Sequence, residues 1–150
     1  MEWVILFIAS WILFILLADW KKLKTNIWCG LLAIALQISI DSQAMSRSFY
    51  KVTKQFICIG GSSSFFVFGP VLVIATLIAQ YHPRKRWMRI FNIFIFSGLY
   101  SIQELLLLAR GNLLYLNWDF IDSIIVNMAV MSVLSWFTIV VLDKKGEVKQ

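Results

Sequence analysis

The residues of this sequence best suited to chemistry sit inside apolar runs. Glu104 follows the uncharged stretch 90–103, and Ser97, Tyr100 and Ser101 precede it at spacings that place all four on one helical face. Counting 1.5 Å per residue from Ile90 puts Glu104 about 21 Å along that helix, in its outward third. An ionisable group at such depth normally faces the protein interior and a partner, and Asn127, in the next apolar run, is the residue best placed to hydrogen-bond it. The chemistry open to this carboxylate is proton relay or contact with a cation. The structural alternative is a carboxylate bonded to a neighbouring helix or reaching the outer interface.

A second group lies between the last two apolar runs. Asp119 and Asp122 fall in the first turn of the final helix, where carboxylates suit the helix dipole. Tyr115 and Trp118 are the rings expected of an interfacial belt. If the two flanking helices pack together, these residues join Glu104, Asn127 and Arg110 near the outer leaflet as an outward-facing cation or substrate mouth. Pro70, after Gly69, removes the bond to the carbonyl of Phe66 and predicts a helix kink, read as packing or as a gate.

Metal and enzyme chemistry find little to work with. His82 is the sole histidine and has no second ligand nearby, so no metal site is expected. Cys29 and Cys58 fall near opposite faces of the membrane, too far apart for a disulfide, and read as small apolar residues. The sequence has no Ser/His/Asp set, no metal-binding His pair, no P-loop and no dinucleotide fingerprint. No enzyme activity and no cofactor are expected.

The elements that must position these residues follow from composition. Of 150 residues, 60% are hydrophobic and only 15% charged, against roughly a quarter charged in soluble domains. The charges cluster and leave apolar runs close to the roughly 20 residues a bilayer core requires. Such runs must satisfy their own backbone groups in lipid, so they are helices. The expected fold is all-α, a single transmembrane domain with spans at about 3–20, 26–41, 62–81, 88–109 and 120–142. The first run lacks the basic n-region of a cleavable signal and reads as an uncleaved span.

With the N-terminus outside, ten basic residues lie on the inner side and four (Arg47, Lys51, Lys54 and Arg110) on the outer side. That asymmetry favours a multi-pass protein of the cell membrane with a cytoplasmic C-terminus. The basic residues flank apolar runs and form no single face, which excludes nucleic acid as a partner despite the net charge of +6. Between the second and third spans, Met45, Phe49, Val52 and Phe56 recur on one face, with Arg47, Lys51 and Lys54 off it. This pattern predicts a basic amphipathic helix lying in the interface, with an irregular loop as the other reading.

The proline-bearing third span ending in Gln80-Tyr81-His82-Pro83, followed by Glu104, Gly111, Tyr115 and Trp118, resembles a family of uncharacterised small membrane proteins. Its members come from spore-forming Gram-positive bacteria, and the resemblance covers roughly residues 66–122. Where that family often has an acid shortly before the proline, this chain has Phe65, Phe66 and Phe68. The resemblance implies an integral protein of the bacterial plasma membrane and brings no activity with it. The leading expectation is a non-enzymatic interaction, accessory or envelope-associated factor. Its partners would be the lipid bilayer and a membrane protein or a second copy of the chain. The alternative is a small transporter or channel subunit using Glu104.

Overall fold

In the computed structural model, which describes residues 2–54 and 57–142, the chain is mostly helical, as the all-α expectation requires. Five helices run through the described residues: α1 (Glu2–Leu17), α2 (Leu23–Ser46), α3 (Ser64–Gln80), α4 (Arg86–Ala109) and α5 (Phe120–Val140). Of these, α2, α4 and α5 are long and apolar enough to cross a membrane. The distribution of residue types inverts that of a soluble protein. Ile5, Ile12, Leu16, Phe91, Ile121 and Ile125 are exposed on the helix surfaces, whereas Asn26, Asp41, Thr76, Asn127 and Thr138 are buried between them. Such an arrangement suits a lipid surround, where apolar faces cost nothing and polar groups must find partners inside.

The central helix is α3, in which every residue from Leu72 to Ala79 is buried. Two glycines let its neighbours approach. A Cβ at Gly30 of α2 would come within 2.6 Å of both Leu72 Cδ1 and Thr76 Oγ1. A Cβ at Gly69 of α3 would lie 3.0 Å from the Cα of Phe7 in α1. The expected irregularity at Pro70 takes the form of a π turn over Val67–Val71. Proline has no N–H to offer, and the widened turn absorbs the gap. Trp11 of α1 donates its indole N–H to the carbonyl of Phe68 at 3.2 Å, serving a backbone group within that turn.

Among the described residues, the interfacial amphipathic helix expected between spans 2 and 3 does not form. Instead α2 continues to Ser46, past the expected end of the second span near residue 41, and carries Met45 with it. Ser48 then adopts φ 55°, and its N–H bonds to the Met45 carbonyl at 3.1 Å while that of Phe49 bonds to Ala44 at 2.9 Å. The chain leaves the helix as strand β1 (Tyr50–Val52), which pairs antiparallel with β4 (Leu113–Tyr115), Tyr50 opposite Tyr115. The pairing is extended at both ends, by Thr53 N–H to Asn112 at 2.8 Å and by Leu116 N–H to Phe49 at 2.9 Å. Backbone groups of residues 49–53 thus find partners some 60 positions away, and a helix there would have forfeited them. A short hairpin, β2 (Cys58–Ile59) with β3 (Ser62–Ser63), turns through Gly60 and Gly61, both at positive φ, and leads into α3. Phe56, the fourth member of the expected apolar face, and Lys144, Lys145 and Lys149 lie outside the described residues.

Candidate functional site

The polar residues buried at one end of the helix bundle converge on a cavity of about 80 Å³. A water needs roughly 10–15 Å³ of such space, so the cavity holds several waters or a small ligand. Successive turns of α2 contribute Ala33, Gln37 and Asp41, and α4 contributes Tyr100 and Glu104. From α5 come Ser123, Asn127 and Leu134, while Tyr50 and Leu113 of the strand pair form a roof.

Glu104 is served by three donors. The Tyr115 hydroxyl and the Ser123 hydroxyl each donate to Oε1 at 2.6 Å, and Asn127 Nδ2 donates to Oε2 at 3.2 Å. Asn127 Nδ2 also reaches Ser101 Oγ at 3.3 Å, and the Trp118 indole N–H donates to Ser123 Oγ at 2.7 Å. The structure therefore brings Glu104, Ser101, Asn127, Tyr115 and Trp118 into one network. Ser97 is buried in α4 one turn before Ser101.

A second carboxylate, Asp41 at the expected end of the second span, faces the same cavity. Asp41 is 3% exposed. Both of its oxygens accept from Gln37 Nε2 at 2.9 Å, and the Tyr50 hydroxyl donates to Oδ1. Gln37 is in turn fixed by the Tyr100 hydroxyl, which donates to its Oε1 at 2.7 Å. Tyr100 thus ties α4 to α2. The signal available in the sequence was the Gln37-x3-Asp41 spacing, which stacks an amide donor under a carboxylate one helical turn later.

The phenols at the roof are held protonated. Burial, together with the neighbouring Asp41 carboxylate, pushes Tyr50 well above the ordinary tyrosine value. Burial and the hydrogen bond to Glu104 push Tyr115 in the same direction. Both therefore stand as fixed donors to carboxylates.

The outer mouth sketched from the sequence is not assembled as a unit. Asp119 and Asp122 are exposed and occupy a reciprocal capping box at the start of α5, with Asp122 Oδ2 accepting from the Asp119 N–H at 3.0 Å. Arg110 is exposed at the end of α4, where its carbonyl accepts from Lys54 Nζ at 3.3 Å. None of the three lines the cavity, whereas Tyr115 and Trp118 turn inward to the Glu104 network. Among the described residues, no group of three His, Cys, Asp or Glu side chains is arranged to hold a metal ion, and Cys29 and Cys58 are not joined in a disulfide. No family model, curated protein or solved structure matches the chain.

Proposed function

We propose that this chain is a five-span protein of the cell membrane, N-terminus outside and C-terminus inside, that binds a cation in its central cavity as a small transporter or channel subunit. One observation carries the proposal. Two carboxylates from different helices, Asp41 and Glu104, line one cavity, and no Lys, Arg or His is among the described residues around it. Each carboxylate is held by neutral donors, which orient it without cancelling its charge. Uncompensated acidic groups within a bundle are costly and mark ion or proton pathways. A purely structural role for Glu104 accounts for its own three bonds but leaves a second carboxylate at the same cavity unexplained. The helices α1 and α3 are shorter than a full span; α1 packs on α3, and α3 packs on the three longer helices, consistent with a five-helix bundle whose apolar outer faces meet lipid. Nothing in the geometry calls for covalent chemistry, so the protein is read as a non-enzyme.

Trp3 and Trp118 line the cavity and supply a readout. In protein reconstituted in nanodiscs, titration with potassium, sodium, magnesium and methylammonium chlorides should give a saturable change in tryptophan emission for at least one cation. The double variant Asp41→Asn/Glu104→Gln should lose the response while still showing a cooperative melting transition. A response retained in the folded double variant, or no saturable response to any cation, would sink the proposal.

A further inference from the structure

We infer that the cation is an organic ammonium carrying a short apolar tail, an inference that rests on the cation-binding reading above. The walls of the cavity differ from those of an inorganic ion site in two respects. The first is the abundance of rings. Trp3, Phe66 and Tyr100, from α1, α3 and α4, form a continuous edge-to-face series, with centroids 5.9 and 5.7 Å apart. Tyr50 and Trp118 form a second edge-to-face pair at 5.9 Å. All five rings line the cavity that Asp41 and Glu104 face. Aromatic rings beside a carboxylate are the usual surroundings of an alkylated ammonium, whose diffuse charge is attracted to the ring faces. A magnesium or calcium ion instead requires six or more oxygen ligands at fixed distances. Here the carboxylate oxygens already accept from Tyr50, Gln37, Tyr115, Ser123 and Asn127.

The second respect is the gradient along the cavity. On α2 the lining passes from Asp41 through Gln37 to Ala33, and on α5 from Ser123 through Asn127 to Met131 and Leu134. The two helices order their residues in the same sense, with Cys29 of α2 reaching the Leu134 carbonyl beyond the apolar end. Eight residues of α2 separate Asp41 from Ala33, about 12 Å of helix at 1.5 Å per residue. One end of the cavity is therefore acidic and aromatic, and the other is lined by the apolar Ala33, Met131 and Leu134. A bare or hydrated metal ion makes no use of the apolar end. A primary amine with a short alkyl chain fits both, its ammonium between the carboxylates and its chain toward Leu134.

The test is a chain-length series on the wild-type protein in nanodiscs, following tryptophan emission with methyl-, propyl- and butylammonium, tetramethylammonium, potassium and magnesium. Affinity should rise about three- to fourfold per added methylene from methyl to butyl. Butylammonium should exceed potassium by at least tenfold. Phe66→Leu should reduce that ratio, and a melting curve should show the variant folded. Carboxylate-dependent binding in which potassium or magnesium equals or exceeds butylammonium would overturn this inference and leave the cation reading standing. An affinity independent of chain length would overturn it likewise, whatever the fate of the variant. No saturable binding by any of the cations would overturn both.

Discussion

Replacing Glu104 with leucine and with glutamine separates what its shape does from what its charge does. Leucine removes the acceptor for Tyr115, Ser123 and Asn127, three hydrogen bonds in all. Interhelical bonds within membrane proteins contribute about 0.6 kcal/mol each on average, so Glu104→Leu should cost about 2 kcal/mol. Glutamine retains one oxygen, which can accept from Tyr115 and Ser123, while its amide replaces Oε2 opposite Asn127 Nδ2. Two amides facing each other need one of them to turn, and Asn127 can do so by giving up its 3.3 Å bond to Ser101. Glu104→Gln should therefore lose no more than about 0.6 kcal/mol, the worth of a single bond. Equilibrium unfolding of the purified protein in mixed detergent micelles measures both. Cation binding should fail in both variants, because neither carries the charge. If glutamine proved as destabilising as leucine, the fold would depend on the charge itself, and assigning stability to the three donors would be wrong.

Three further outcomes follow from the packing and the loops. Gly30→Ala places a methyl against Leu72 and Thr76, with both separations at 2.6 Å, and should destabilise by about 1–3 kcal/mol in the same unfolding assay; a neutral result would mean α2 and α3 are not in close contact. Because Tyr115 and Tyr50 have raised pKa values, their contribution to stability is complete below the free-tyrosine value of about 10 and is lost only as pH rises through their higher folded values. Tyr115→Phe or Tyr50→Phe should accordingly leave the phenolate absorbance developed near that pH unchanged, and a reduced amplitude would show an ordinary, solvated phenol. With the proposed orientation, exposed Cys58 should react with an impermeant maleimide in intact cells while buried Cys29 does not, and protection of Cys58 until permeabilisation would reverse the topology.

The helical class and the polar face of α4 were legible in the sequence because both depend on local spacing: apolar runs set the first, and the i, i+3, i+4, i+7 pattern of Ser97, Tyr100, Ser101 and Glu104 sets the second. Asp41 escaped for a related reason. A charge at the end of an uncharged run reads as a boundary, yet here it is sheltered by the strand roof, which lets α2 continue to Ser46. The pairing of Tyr50–Val52 with Leu113–Tyr115 has no local signature, since it joins segments some 60 residues apart. With the roof out of sight, the apolar spacing of Met45, Phe49 and Val52 imitated an interfacial helix. Tyr115 and Trp118 looked like belt residues for the same reason, and their amphipathic rings serve equally well as inward donors.

The π turn in α3 also sets the phase of that helix. A regular α-helix advances about 100° per residue, so Phe66 and Val71, five apart, would point in directions about 140° apart. Both line the cavity, because the widened turn over Val67–Val71 takes up one residue without advancing the helical face. In effect α3 carries one residue more than its cavity-facing surface requires, and Gly69-Pro70 is where the surplus is stored. A chain one residue shorter at 67–70 could present the same face through an unbroken α-helix. In aligning other sequences to this one, a single gap at that turn would therefore be compatible with the same cavity, whereas a gap between Val71 and Ala75 would turn Phe66 about 100° out of phase with Ala75.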